Sequence, residues 1–116
     1  MDDCIFCKIV AGDIPSTKVY EDETALAFED VNPLMPVHTL IIPKKHYDDI
    51  SGGIPDSDLG HLFNTAVKVA GIKGIAERGF RIIVNTGTDA QQSVHHLHIH
   101  LFGGEKMNIG SPKAAK

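Results

Sequence analysis

His95-His96-Leu97-His98-Ile99-His100-Leu101-Phe102 carries four of the chain's seven histidines within six residues. From His96 onward, histidine alternates with a large apolar side chain, which is the period of a strand. Successive strand side chains point to opposite faces, so His96, His98 and His100 share one face while Leu97, Ile99 and Leu101 root the other in a core. Three readings follow. A solvated strand face would sooner use Thr, Lys or Glu than three histidines. As a metal site the row fits poorly. Same-face neighbours lie roughly 6.6 Å apart and the outer pair about 13 Å, whereas a shared ion needs bonds of about 2.0 to 2.1 Å. The third reading is catalytic: a central nucleophile flanked by histidines that bind, orient and move protons.

Working outward, Arg78-Gly79 leads into a strand Phe80-Arg81-Ile82-Ile83-Val84-Asn85. The polar connection Asn85 to Ser93 then returns the chain, hairpin fashion, into the histidine strand. Polar connections held by a rigid scaffold are where function usually sits. Upstream, Ser57 is the expected N-cap of a helix whose apolar face is Leu59, Leu62, Phe63, Ala66, Val69 and Ala70. This helix frays around Gly71 and Gly74, and its His61 is assigned no role. The nearly all-apolar run Thr39-Leu40-Ile41-Ile42-Pro43 predicts a central strand buried on both faces. It is reached through a loop with two prolines that delivers His38. Before it, Lys18 to Tyr20 and Thr24 to Phe28 form a hairpin around Glu21-Asp22-Glu23. A short helix or turn runs from Cys4 to Val10, ended by Gly12 and Pro15. The order α-β-β-β-α-β-β predicts an α+β fold: a five-stranded antiparallel sheet with one long and one short helix. Residues 1–104 are expected to be a single domain, and the aperiodic tail 105–116 partly disordered.

Composition bounds the partners. The chain has 116 residues, 42% of them apolar, and a net charge of −4. One domain of this size can bury a modest core. The negative charge offers no general attraction to nucleic acid or anionic membrane, so a phosphate ligand must be held by local groups. No apolar run approaches a membrane span and the first residues are acidic, so the expected location is cytoplasmic, with the nucleus as a second compartment. Cys4 and Cys7 have the spacing of zinc ligands or of a redox pair. A thioredoxin-like motif would follow a strand in a βαβ unit, which this pattern lacks. They can also be small buried residues of a short helix.

The stretch His96-Leu97-His98-Ile99-His100-Leu101-Phe102 resembles the His-φ-His-φ-His-φ-φ signature of the histidine triad (HIT) superfamily, φ being apolar. Ile5-Phe6, Asp13-Ile14-Pro15, Phe28-Glu29-Asp30, His38 to His46, Asn85, Gln92-Ser93-Val94 and Gly103-Gly104 resemble its nucleotide-binding branch, once called protein kinase C inhibitor proteins. The likeness runs from residue 4 to about 104. It implies a HIT-like fold, a homodimer with joined sheets, and hydrolysis of purine nucleoside phosphoramidates such as adenosine 5′-monophosphoramidate. By this resemblance His98 attacks the α-phosphorus, its ring held by the carbonyl of His96, and a nucleotidyl-histidine intermediate forms. His100 and His38 would bind phosphate oxygens. Asn85 and Ser93 would contact the phosphoryl or leaving group, Ser93 passing a proton to the departing amine. Asp30 matches the ribose-binding carboxylate, and Phe6, Ile9, Ile14, Phe28 and Val31 match the apolar slot for the base. Without the resemblance those five read as core. Cys4, Cys7, His46 and His96 match a structural zinc site of several relatives, a closed Cys₂His₂ set.

Two departures bear on specificity. Ala90-Gln91 stands where the branch usually has two glycines, and the Met107-Asn108-Ile109 tail does not match the better-known members. Two other functions remain open: a non-catalytic nucleotide-binding or scaffold protein, or dinucleoside polyphosphate hydrolysis or nucleotidyl transfer. Intact His98, Ser93, Asn85 and His100 weigh against pure binding, and His100 against transfer. No residue supports kinase inhibition.

Overall fold

The β1–β2 hairpin starts the sheet, with β1 at Lys18–Glu21 and β2 at Ala25–Glu29 turning about Asp22. A computed structural model describes residues 3–108 of the chain. The Asp22 carboxylate accepts the amide protons of Thr24 and Ala25, both at 2.9 Å, which closes the turn. β3 (Val37–Pro43) pairs with β2, β5 (Ile99–Gly103) with β3, and β4 (Arg81–Ile83) with β5, all antiparallel. The sheet order β1-β2-β3-β5-β4 puts β3 in the middle. Thr39 to Pro43 are buried throughout, as an apolar strand covered on both faces must be.

Each face packs under one helix. The long helix α2 (Asp56–Ile72) lies on one side, where Leu62, Ala66, Val69 and Ala70 meet Ala25, Ala27, Ile41, Leu97, Ile99 and Leu101. Alanines on both surfaces let helix and sheet approach closely. The short helix α1 (Ile5–Ala11) lies on the other side, where Phe6 and Ile9 pack on Leu26, Phe28, Leu40 and Ile42. Period 2 along β5 therefore sends Ile99 and Leu101 toward α2 and leaves the histidines on the face of α1.

Three expectations need correction. Ser57 is not the cap of α2: the helix starts at Asp56 with Pro55 before it, and no side chain caps it. Proline supplies the extended exit, and Asp56 and Asp58 in the first turn complement the helix dipole instead. The expected strand 80–85 pairs only over Arg81–Ile83. The histidine strand enters the ladder only at Ile99. Before that point Leu97 N–H donates to the carbonyl of Tyr47 at 2.7 Å, so a single bond to a loop replaces the ladder. The alternation survives because Leu97 is still drawn into the α2 core.

Tight backbone contacts close β5. A Cβ on Gly103 would lie 2.6 Å from the Ile75 side chain, and Gly104 has φ +94°. Residues 105–108 follow without regular structure, Arg81 Nη2 donating to the carbonyl of Asn108. The expected disorder of the tail falls, from residue 109 on, outside the described residues.

Candidate functional site

Cysteine decides the geometry of the first cluster. Cys4 is the N-cap of α1, its Sγ accepting the amide proton of Cys7 at 3.3 Å, so a Cys-x-x-Cys turn brings both thiols to one helix end. His96 Nδ1 lies 3.4 Å from Cys4 Sγ and 3.5 Å from Cys7 Sγ, and His46 Nδ1 lies 3.3 Å from Cys7 Sγ. The four ligand atoms all fall within 4.8 Å of one another. Neither histidine is free to choose its tautomer. His96 Nε2–H donates to the Pro43 carbonyl at 2.8 Å, and His46 Nε2–H to the Asp48 carboxylate at 2.7 Å. Both therefore turn an Nδ1 lone pair toward the thiols, the second-shell pattern of metal-ligating histidines.

The protonation chemistry agrees with that geometry. Burial lowers the His96 pKa to about 4, outweighing the Pro43 hydrogen bond, so the imidazole is neutral. Burial, with Cys4 beside it, pushes the Cys7 thiol up to about 11. A thiol raised in this way gives up its proton readily only to a cation bound beside it, and a bound Zn²⁺ deprotonates a coordinating thiol outright. The donor set and its pinned lone pairs fit zinc.

A second cluster, Asp30, His38 and His100, meets the same 4.8 Å criterion and is wholly buried. Its proton positions differ. Leu34 N–H donates to His38 Nδ1 at 3.1 Å, which places the His38 proton on Nε2. That proton points to His100 Nδ1 at 3.0 Å, with Asp30 Oδ2 at 3.3 Å. A metal would have to displace it, so this cluster is a relay and not a ligand set. Accepting at Nδ1 leaves His100 with its proton on Nε2, a donor. His38 accordingly stands behind His100. Both nitrogens of His38 are engaged within the protein, Nδ1 by Leu34 N–H and Nε2 by His100 Nδ1.

Between the clusters lies His98. Its Nδ1–H donates to the His96 carbonyl at 2.7 Å, so the lone pair sits on Nε2. The ring is 2% exposed, stands edge-on to Phe6 with centroids 5.1 Å apart, and lies 4.9 Å from the His100 ring. An imidazole held in this tautomer has the form that can act as a nucleophile through Nε2.

The remaining expected residues divide by exposure. Phe6, Ile9 and Phe28 are buried under α1, Ile14 is half-buried, and Val31 is 87% exposed. Val31 is thus no core residue, while Ile14 packs against the cluster of Phe6, Ile9 and Phe28. Asp30 is buried, Oδ1 accepting from Asn32 N–H at 2.8 Å. Asn85 is half-buried just past β4, and Ser93 is exposed. Ser93 lines a cavity of about 330 Å³ with Cys4, His46, Asp48 and His95.

Sequence reasoning missed two residues. Asp48, which orients His46, carries only the faint signal of a carboxylate two places after a ligand. Gln92, buried at 7% exposure inside a polar loop, enters the sequence reading only through the family likeness. Ala90-Gln91 does not unmake the loop: Gln91 takes the left-handed conformation, φ +63°, that glycine would adopt more cheaply.

Set beside known proteins, residues 11–107 match the HIT domain. A "14 kDa zinc-binding protein" of Brassica juncea is 48% identical over 111 residues, covering 91% of this chain and 96% of the relative. A HIT family hydrolase from Clostridium thermocellum superposes with TM-score 0.89 at 46% identity, covering 95% and 97% of the two chains. A histidine triad nucleotide-binding protein from Candida albicans does so with TM-score 0.86 at 33% identity, covering 98% and 86%. The chain belongs to the HIT family, whose members among these neighbours include a hydrolase and a nucleotide-binding protein.

Proposed function

We propose that this protein hydrolyses purine nucleoside phosphoramidates, splitting the P–N bond through a nucleotidyl-histidine intermediate. The observation that carries the reading is the 2.7 Å hydrogen bond from His98 Nδ1 to the His96 carbonyl, which leaves Nε2 as the attacking atom. His98 Nε2 adds to the α-phosphorus and the P–N bond breaks. The amine leaves with a proton handed on by Ser93, whose hydroxyl recovers one from solvent. Water then attacks the phosphorus, one proton leaves, and the nucleoside monophosphate and the imidazole are released. His100 Nε2–H donates to a phosphoryl oxygen as charge builds there, Asn85 being a second contact. His38 and Asp30 keep the His100 proton where it is needed, so His38 works through His100. Asp30 takes the ribose hydroxyls, and the base lies on Phe6, Ile9, Ile14, Phe28 and Val31.

Cys4, Cys7, His46 and His96 would hold a zinc ion, which supplies a cross-link between α1, the end of β3 and the triad rather than any chemistry on phosphorus. Its closed set of four protein ligands is that of a structural site. A homodimer with joined sheets follows from the resemblance, and the half-buried edge strand β4 is a sheet edge that could serve it. Sedimentation would test it, a monomer at working concentration counting against it.

The deciding experiment is steady-state amine release from adenosine 5′-phosphoramidate by wild type and His98→Ala, with zinc assayed on both. Turnover lost in the variant while AMP still binds supports the enzyme. Equal, negligible rates with AMP tightly bound would leave a nucleotide-binding protein.

A further inference from the structure

The loop from Gly87 to Val94 approaches the site outside any strand, β5 beginning only at Ile99. Its shape is held by one buried side chain. Gln92 Oε1 accepts Gly87 N–H at 3.0 Å, while Nε2 donates to the carbonyls of Asp48 at 2.8 Å and Val94 at 3.1 Å. The main chain repeats the link, Gln92 N–H donating to the Gly87 carbonyl at 3.1 Å. A glutamine amide has two N–H donors and one carbonyl acceptor, and all three functions are used. The residue is 7% exposed, so these bonds are protected from water and costly to leave unmade. Ser93 lies between the two clamped positions, on the wall of the 330 Å³ cavity. The far end of the clamp is Asp48, whose carboxylate fixes His46.

We propose that Gln92 is a positioning residue that holds Ser93 at the leaving-group side of the site, tying its loop to the segment that carries the His46–Asp48 pair. The inference rests on the phosphoramidase reading and on the proton-passing role given to Ser93 there. Its consequence is selective. Loosening the clamp impairs only the step in which the amine needs a proton, because His98 and His100 are set by other bonds.

The test uses two adenosine 5′-phosphoryl substrates of the full-length, zinc-loaded protein. One has an alkylamine leaving group, which must be protonated; the other has p-nitrophenol, which leaves as its anion. Gln92→Met, and Gln92→Glu should the first fold poorly, are compared with Ser93→Ala and with the double variant. Positioned proton transfer is worth about 10²- to 10⁴-fold, and a displaced donor forfeits part of it. The expected result is a kcat on the alkylamine substrate lower by about 10- to 100-fold, with the nitrophenyl ester changed by no more than about threefold and AMP affinity preserved. The double variant should be no slower than Ser93→Ala, since residues acting as a unit are not additive. Equal losses on both substrates, full additivity, or no loss at all would overturn the assignment while leaving the phosphoramidase reading intact. Wild type inert toward the amine substrate would overturn that reading and the assignment with it.

Discussion

The thiol cluster and the relay use the same imidazole ring in opposite senses, although both lie on one face of the sheet with only His98 between them. At His96 and His46 the Nε2 proton goes to an oxygen, and Nδ1 lone pairs converge on sulfur. At His38 a backbone N–H occupies Nδ1, and the remaining proton is aimed at another histidine. Distance alone does not separate them, since both sets meet the same 4.8 Å criterion. What separates them is the group each second nitrogen meets. A histidine cluster is thus read by following its protons, and His98, its Nδ1–H pinned to the His96 carbonyl, belongs to neither sense; on the proposed function its Nε2 lone pair is the one that meets substrate.

The largest test of the comparison sets His98→Ala against His96→Ala. Removing the nucleophile should cut turnover by about a thousandfold or more, as loss of a nucleophilic side chain does elsewhere. His96→Ala removes one of the four residues proposed to hold zinc and keeps the main-chain carbonyl that pins His98. It should therefore lose zinc and shift the thermal midpoint downward, while turnover at 25 °C falls by only about tenfold, within the range of second-shell changes. Metal analysis, thermal unfolding and amine release on the same samples decide the matter. Equal collapse of turnover in both variants, with His96→Ala still folded, would erase the distinction between the clusters.

A smaller effect is expected one layer back. His38→Leu removes the donor to His100 Nδ1 and should lower kcat by about 10- to 100-fold, or about 1.4 to 2.7 kcal/mol. Zinc content should not change, because His38 belongs to the relay. Loss of zinc in this variant would show that the two clusters are one unit. Away from both, Gly103→Ala should destabilise by about 1 to 3 kcal/mol, because the new methyl meets Ile75 in a packed core. Denaturant unfolding would register this with little change in kcat per folded molecule.

Period 2 in Leu97, Ile99 and Leu101, and the apolar run to Pro43, made the sheet and its buried strand legible from sequence. These patterns report burial, which local spacing encodes. The Cys-x-x-Cys turn and the family likeness together brought His46 and His96 to the thiols, because a metal set leaves a spacing behind. Proton direction leaves none. That Leu34 N–H meets His38 Nδ1 depends on how a proline-stiffened loop folds back over four residues. The same holds for Gln92, whose partner Asp48 is 44 positions away. The misplaced cap at Ser57 has a different origin: Pro55 and two aspartates do locally what a serine cap would, and pattern reading favours the commoner device.

Outside both clusters, the role of His61 is the least demanding and gives the smallest effect. His61 Nε2, Tyr20 Oη and the amides of Thr24 and Ala25 all donate to Asp22 in the β1–β2 turn. Burial opposes ionisation of this carboxyl, yet the hydrogen bonds from Thr24 and Ala25, then His61 and Tyr20, hold its pKa well below the usual carboxylate range. A carboxyl whose folded pKa lies below its unfolded value, about 4, stabilises the fold above that value and loses its contribution as pH falls below it. Partial exposure keeps the term small, so Asp22→Asn should cost about 1 kcal/mol at neutral pH. Urea unfolding from about pH 6 to about pH 2 should show the gap between wild type and variant closing on the acid side. A gap that stays constant would assign the stabilisation to the geometry of the turn alone, and His61 would then be no more than a neighbour of Asp22.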